Sequence, residues 1–142
     1  MILPLLALVT AGKQFPCKVV SVHDGDGPIH CASGASVRLA GIQAPDFADA
    51  EPCRKGRAEF VCSDRAATEA RDRMRKLIQG RTLDCTAAGR SYRRIVATCR
   101  LGAADLSCLA IQRGIATRWQ KYDRQRVLVR CEPKRLLHLN AG

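Results

Sequence analysis

The stretch 22–46, VHDGDGPIHCASGASVRLAGIQAPD, determines the fold that this chain is expected to adopt. Asp24-Gly25-Asp26-Gly27 predicts a tight turn, because glycine tolerates the positive φ angles that such turns need. A valine-rich segment precedes the turn from residue 15 to 22, and short apolar segments follow it at 29–32 and 36–42. Three short strands joined by tight turns form a meander, with two acids and an arginine inside it.

A long helix is predicted immediately after a polar loop at 44–57. Ser63 is a good N-cap, Asp64 complements the helix dipole, and Gly80 ends the helix. The apolar residues of this segment recur on one helical face. That face consists of Ala67, Ala70, Met74 and Leu77.

The rest of the chain predicts two more strands and further helices. The strands are expected at 81–86 and 95–101, and a short helix is expected at 104–113. A third helix is predicted from Asp123 to Glu132, where Pro133 interrupts it. Five short strands with a helix between the third and fourth predict an α+β protein, an OB-fold five-stranded β-barrel with two to three helices.

The chain is strongly basic. Lysine and arginine number 24 against 13 aspartates and glutamates, which gives a net charge of +11. A domain with this charge commonly binds a polyanion, and arginine in particular binds phosphate through two hydrogen bonds. The composition therefore favours a phosphate-bearing partner, while a role in solubility alone is the plain alternative.

Eight cysteines are many for 142 residues, and their number is even. No C-x-x-C pair is present and the three histidines are scattered, so a disulfide framework is favoured over a zinc site. Cys17 and Cys31 flank Asp24 symmetrically, a second pair brackets a short loop, and a third lies on two successive predicted strands. These positions predict the bridges Cys17–Cys31, Cys53–Cys62 and Cys85–Cys99, with Cys108–Cys131 as the remaining pair.

Residues 1–12 are apolar and end in small residues, which is typical of a signal peptide, although the usual positive start is missing. A buried first strand is the alternative. The segment is too short to span a bilayer as a helix. Together with the cysteines it predicts a periplasmic or secreted protein without a stable membrane span, which we expect to be a monomer.

The motifs jointly resemble the thermonuclease family, the staphylococcal-nuclease-like calcium-dependent phosphodiesterases. That family shows Asp-Gly-Asp-Thr, then Arg-Leu-x-Gly-Ile/Val-Asp-x-Pro-Glu, then Tyr-Gly-Arg-x-x-Ala. The matching stretches here are 24–27, 38–46 and 92–94, and the resemblance covers roughly residues 15–122. It implies a thermonuclease-like OB-fold domain at 13–124, followed by a C-terminal extension at 125–142.

The resemblance also implies a role for each matching residue. The metal site would consist of Asp26 and Gln43 holding Ca²⁺, and phosphate would be gripped by Arg38. Asp46 would handle the attacking water, and Arg94 would stabilise the leaving group. Nucleotide contacts would come from Tyr92 and Tyr122. The implied partner is DNA or RNA, bound with little sequence specificity.

Four positions depart from the family pattern. Gln43 replaces an aspartate, so the metal site has one negative charge fewer. Asp46 replaces a glutamate, and its carboxylate is shorter by about one ångström, a displacement that can cost about 10²-fold in rate. Gly27 replaces the turn threonine. Arg93 replaces a glycine, which would be strained if that position needs a positive φ.

Simpler structural roles stand beside these functional ones. Asp24 and Asp26 can both shape the turn, residues 43–46 can be an ordinary strand exit, and the arginines at 90–94 can be an exposed basic turn. Arg38 lies in mid-strand, where an inward-facing arginine needs a partner, and this favours a site.

Three functions therefore compete. The first is an exported Ca²⁺-dependent nuclease, with activity weakened at Gln43 and Asp46. The second is a catalytically inactive nucleic-acid-binding OB-fold module. The third is a disulfide-bonded basic protein that binds polyanions of the cell envelope.

Overall fold

The computed structural model describes residues 11–134. Eight strands and three helices follow one another in this part of the chain. The strands are β1 (Gln14–Val22), β2 (Ile29–Cys31), β3 (Ser36–Leu39), β4 (Ile42–Gln43), β5 (Thr82–Ser91), β6 (Arg94–Leu101), β7 (Ala104–Asp105) and β8 (Thr117–Arg118), and the helices are α1 (Glu51–Arg54), α2 (Asp64–Ile78) and α3 (Leu106–Gln112). The predicted signal peptide lies almost entirely outside the described residues.

A closed barrel forms between strands that are distant in sequence. β1 pairs antiparallel with β2 and β5, β2 pairs with β3, and β5 pairs with β6. β3 then pairs parallel with β6, with Val37 opposite Ile95. Five strands therefore make a closed mixed barrel, and the predicted α+β OB-fold-like architecture is confirmed.

The third predicted strand, at 36–42, is divided in two. β3 ends at Leu39, and Gly41 turns the chain with a φ of +76° before β4 begins. A Cβ at Gly41 would lie 2.8 Å from Cδ1 of Leu128, so a side chain here would also displace the Leu128 side chain. The break lets β4 pair with β8 in a separate two-stranded sheet.

Helix α2 forms as its sequence predicts. The Ser63 hydroxyl accepts a hydrogen bond from the Ala66 N–H at 3.2 Å and caps the first turn. The helix buries Ala67, Ala70, Met74 and Ile78, and Leu77 packs at the edge of the core.

All four predicted disulfides are present: Cys17–Cys31, Cys53–Cys62, Cys85–Cys99 and Cys108–Cys131. Cys85 and Cys99 lie directly opposite each other on β5 and β6. Four disulfides in a chain of this size indicate an oxidising environment, extracellular or periplasmic. None of the helices within residues 11–134 is long and apolar enough to cross a bilayer.

The helix predicted at 123–132 is wrong. This segment instead contains a short 3₁₀ turn at Val129–Cys131, and another precedes it at Gln120–Tyr122. The carboxylate of Asp123 accepts hydrogen bonds from the N–H groups of Val127 and Leu128, which holds the segment in an irregular turn. Leu128 and Cys131 are buried in the barrel's own core, so that core extends beyond residue 124.

Candidate functional site

The first acidic motif forms the turn between β1 and β2. The Asp26 N–H donates to Oδ1 of Asp24 at 3.2 Å, and both side chains are buried. A Cβ at Gly25 would lie 2.7 Å from Cβ of Ala44, and one at Gly27 would lie 2.6 Å from the Val37 carbonyl. The turn therefore packs too closely for a side chain at either glycine, which explains why this backbone has no threonine at position 27.

Asp26 and Arg38 form an ion pair at the centre of the group. Arg38 Nη2 lies 3.4 Å from Asp26 Oδ2, and the same oxygen accepts the Ala44 N–H at 2.9 Å. Arg38 Nη1 donates to the Leu39 carbonyl at 3.0 Å, which fixes the direction of the guanidinium. Oδ2 of Asp26 thus accepts hydrogen bonds from both Arg38 and the Ala44 N–H.

Barrel closure brings Arg94 to the same side as Arg38. Val37 faces Ile95 across the parallel β3–β6 pair, and both are buried. Because side chains alternate along a strand, Arg38 and Arg94 share the opposite face of this pair, with Arg94 two residues before Val96, the register partner of Arg38. Arg94 also donates to the Ser91 hydroxyl at 3.4 Å.

The charges of Asp26, Arg38 and Arg94 all act on the carboxyl group of Asp46. Partial burial and the charge of Asp26 raise the pKa of Asp46 to about 6, although Arg38 and Arg94 act to lower it. All three neighbours thus lie close enough to affect one carboxyl group. Asp26, Arg38, Asp46 and Arg94 come from four separate segments, and the fold brings them together.

Gln43 is not joined to this group by the contacts that the structure shows. Its amide nitrogen donates to the Glu59 carbonyl at 3.0 Å. Its side chain also lines a cavity of about 440 Å³ between β4, α2 and α3, whose walls include Glu69, Ile111 and Glu132. The metal-binding role predicted for Gln43 stays a prediction.

The two predicted tyrosines lie in different settings. Tyr92 is 89% exposed at the tip of the β5–β6 hairpin and has a φ of +58°, so the strained residue of this turn is Tyr92 and not Arg93. Tyr122 packs edge-on against Trp119 with ring centroids 4.4 Å apart.

Trp119 was not singled out by the sequence reasoning. The Arg38 guanidinium lies over its ring, 5.2 Å from the centroid, and Phe60 packs against its edge. It is the one tryptophan of a chain with few aromatic residues, and it lies three positions before Tyr122 in a basic segment. That combination was the available signal, because aromatic rings beside arginines are suited to nucleobases.

Asp24 is a second acid that the sequence reasoning treated mainly as a turn former. Burial and the neighbouring charge of Asp26 raise the pKa of Asp24 to about 9, so Asp24 holds a proton at neutral pH. Each of two carboxyl groups this close disfavours the ionised form of the other, and a bound cation would offset that repulsion.

The Asp24–Asp26 pair contains the oxygen atoms that a metal ion could use. Residues 11–134 contain no group of three or more histidine, cysteine, aspartate or glutamate side chains arranged to hold a metal. Asp24 and Asp26 do offer oxygen ligands of the type that Ca²⁺ prefers, and a cation would replace the proton between them. By the type of donor atom, these two carboxylates would suit a hard divalent cation.

Asp24→Asn is expected to raise the free energy of unfolding at neutral pH without divalent cations, and to flatten its pH dependence. A carboxyl with a pKa of about 9 when folded and 3.8 when unfolded binds more protons in the folded state. Its stabilising contribution is therefore complete below pH 3.8 and is lost as the pH rises towards 9. The loss is at most about 1.4 kcal/mol per pH unit.

Urea unfolding in the presence of a chelator, measured from acid to alkaline pH, checks this expectation. Asp84→Asn removes an exposed carboxylate from β5 and is the matched control. Equal pH slopes for Asp24→Asn and the wild type would contradict it.

No protein-family model matches the chain, and no curated protein matches it significantly.

Proposed function

We propose that this protein is an exported, calcium-dependent nuclease-like phosphodiesterase that binds DNA or RNA with little sequence specificity and hydrolyses it slowly. The observation that supports this most is the meeting of Asp26, Arg38 and Arg94 around the carboxyl group of Asp46. An acid able to accept a proton, with cationic donors beside it, is what hydrolysis of a phosphodiester requires.

Each residue would contribute through its own chemistry. Arg38 and Arg94 would donate hydrogen bonds to phosphate oxygens and stabilise the charge that builds up in the transition state. Asp46 is mostly ionised at neutral pH, since its pKa is about 6, and can take a proton from the attacking water. The aromatic faces of Trp119 and Tyr122 would contact a nucleobase.

A divalent ion would be held by Asp24 and Asp26, with Gln43 as a further predicted ligand through its amide oxygen. Such an ion, when bound, polarises the phosphate and makes water a better nucleophile. Because Asp24 must lose its proton first, binding of the ion should strengthen as the pH rises.

The inactive binding module is the second candidate, and Gln43 is the observation that favours it. Its amide is engaged by the Glu59 carbonyl, and position 43 carries no charge for a cation. In this reading Arg38, Arg94 and the aromatic residues bind a phosphate backbone that is never cut. Both candidates place a monomeric protein in the periplasm or the extracellular medium, with residues 1–12 as its signal peptide.

Plasmid nicking and oligonucleotide binding distinguish the two candidates. The nuclease reading expects nicking with calcium that stops when a chelator is added. Binding of a single-stranded oligonucleotide should weaken with salt, with a log–log slope of about −0.7 per phosphate contacted. Binding without nicking would establish the inactive module, and a salt-independent response would contradict both readings.

A further inference from the structure

The disulfide Cys53–Cys62 closes a short surface segment that reaches the candidate site. We call residues 53–62 the strap; it begins in α1 and ends just before the N-cap of α2. Its two ends are held with Cα atoms 5.8 Å apart. The residues between them run alongside the exit of β4.

The end of the strap and Ser63, the residue after it, hold both backbone polar groups of Asp46. The Asp46 N–H donates to the Val61 carbonyl at 2.8 Å, and the Asp46 carbonyl accepts the Ser63 N–H at 3.0 Å. Asp46 and Cys62 form an isolated parallel bridge as a result. An aspartate side chain has only two rotatable bonds, so these contacts largely fix where its carboxylate can lie.

The strap contacts two other parts of the site as well. The Glu59 carbonyl accepts the amide of Gln43, and Phe60 packs against Trp119, whose ring lies under the Arg38 guanidinium. One short segment thus contacts Asp46, Gln43 and Trp119.

Burial cannot be what holds the strap in place. None of residues 53–62 is buried, and Val61 is 60% exposed. Hydrogen bonds at such a surface exchange readily with water, and a segment without a hydrophobic core opens easily. A covalent link between the two ends is the remaining constraint on its conformation.

We propose that Cys53 and Cys62 are positioning residues: their disulfide holds the strap against β4 and so fixes the Asp46 carboxylate where it can take a proton from the attacking water. The expected effect on cleavage rests on the proposed function. The claim that the disulfide fixes the position of Asp46 does not. It assigns this disulfide a role that the other three, which link barrel strands or α3, do not share.

The test is the double variant Cys53→Ser with Cys62→Ser, which leaves no unpaired thiol. Amide hydrogen exchange at Asp46 and Ser63 should become at least about tenfold faster, because their hydrogen bonds open more often. The kcat for cleavage should fall by about 10-fold or more, while oligonucleotide affinity changes by less than about threefold, since a small misplacement affects the reaction more than binding.

Cys108→Ser with Cys131→Ser is the matched control, because it also removes one disulfide, but one that links α3 to the 3₁₀ turn at Val129–Cys131 and not the ends of the strap. It should leave exchange at Asp46 and Ser63 as in the wild type. Equal exchange rates in the wild type and the Cys53/Cys62 variant would overturn the inference, as would equal acceleration by the control. If the wild type cuts nothing, the proposed function fails, yet hydrogen exchange still decides whether the strap fixes Asp46.

If the Cys53/Cys62 double variant does not fold, partial reduction of the wild-type protein tests the same inference. Cys62 is exposed, whereas at least one partner in each other disulfide is buried, so a dithiol reductant should open Cys53–Cys62 first. The reductant supplies two electrons and two protons, the S–S bond becomes two thiols, and the reductant becomes a disulfide. Faster exchange at Asp46 after this step supports the inference, and unchanged exchange overturns it.

Discussion

Asp26→Asn is expected to lower calcium-dependent cleavage by about 10³-fold, because it removes the charge on which both the cation and Arg38 depend. Asparagine has nearly the same shape as aspartate, and its carbonyl oxygen can still accept the Ala44 N–H that Asp26 now accepts. The barrel should therefore fold normally. Initial rates of plasmid nicking at saturating calcium measure the effect, and circular dichroism verifies the fold.

Asp26→Asn should not weaken the binding of nucleic acid, although it lowers cleavage. Arg38 loses its ionic partner in the variant and becomes freer to bind phosphate, so oligonucleotide binding without calcium should be equal or tighter. Asp84→Asn removes an equal charge from the exposed face of β5 and should change neither quantity. An Asp26→Asn protein that nicks plasmid at the wild-type rate would show that the reaction centre lies elsewhere.

Arg118→Met is expected to lower the free energy of unfolding by about 3–5 kcal/mol, because it leaves the charge of Asp123 buried without its partner. Arg118 Nε lies 2.7 Å from Asp123 Oδ2, and the two side chains are only 8% and 7% exposed. Burial by itself would raise the pKa of Asp123, but hydrogen bonds from Arg118, Leu128 and Val127 hold it below the ordinary 3.8. The contribution of this pair should therefore be present at neutral pH and be lost in acid, as the pH falls below 3.8.

Denaturant unfolding with the disulfides intact measures this loss. Arg65→Met is the matched control, since Arg65 and Glu69 form an ion pair whose side chains are 91% and 61% exposed. That change should stay within about 0.5 kcal/mol. A loss from Arg118→Met no larger than the control would show that the backbone N–H groups of residues 127 and 128 alone satisfy Asp123.

The parts of the fold that sequence reasoning predicted depend on local patterns. Alternation around the 24–27 turn and helical periodicity from Ser63 are properties of neighbouring residues, so the strands and α2 were predictable. Three of the disulfide pairs followed from the same local geometry, and Cys108–Cys131 followed as the remaining pair. The 123–132 helix failed because the Asp123 carboxylate accepts the N–H groups of residues 127 and 128 and pairs with Arg118. These side-chain contacts hold the segment in another conformation, and helical propensity does not register them.

The site was partly predictable for the same reason. Asp26 and Arg38 lie in motifs whose residue types indicate metal and phosphate, and the structure pairs them directly. Trp119 and the strap contacts to Asp46 depend on packing between segments far apart in sequence. Gln43 shows that a motif does not determine the contacts of a side chain. Its position in the motif predicted a metal ligand, whereas its amide nitrogen donates to the Glu59 carbonyl.

The parallel pairing of β3 with β6 has a consequence for when activity can begin. Arg38 and Arg94 come to the same face only through this contact, which joins residues nearly sixty positions apart and cannot form before both strands are in place. A chain still being synthesised or translocated therefore has its two arginines on unconnected strands and no place for a phosphate. If the protein cuts nucleic acid, this order of assembly would keep the producing cell's own DNA and RNA safe until the barrel has closed.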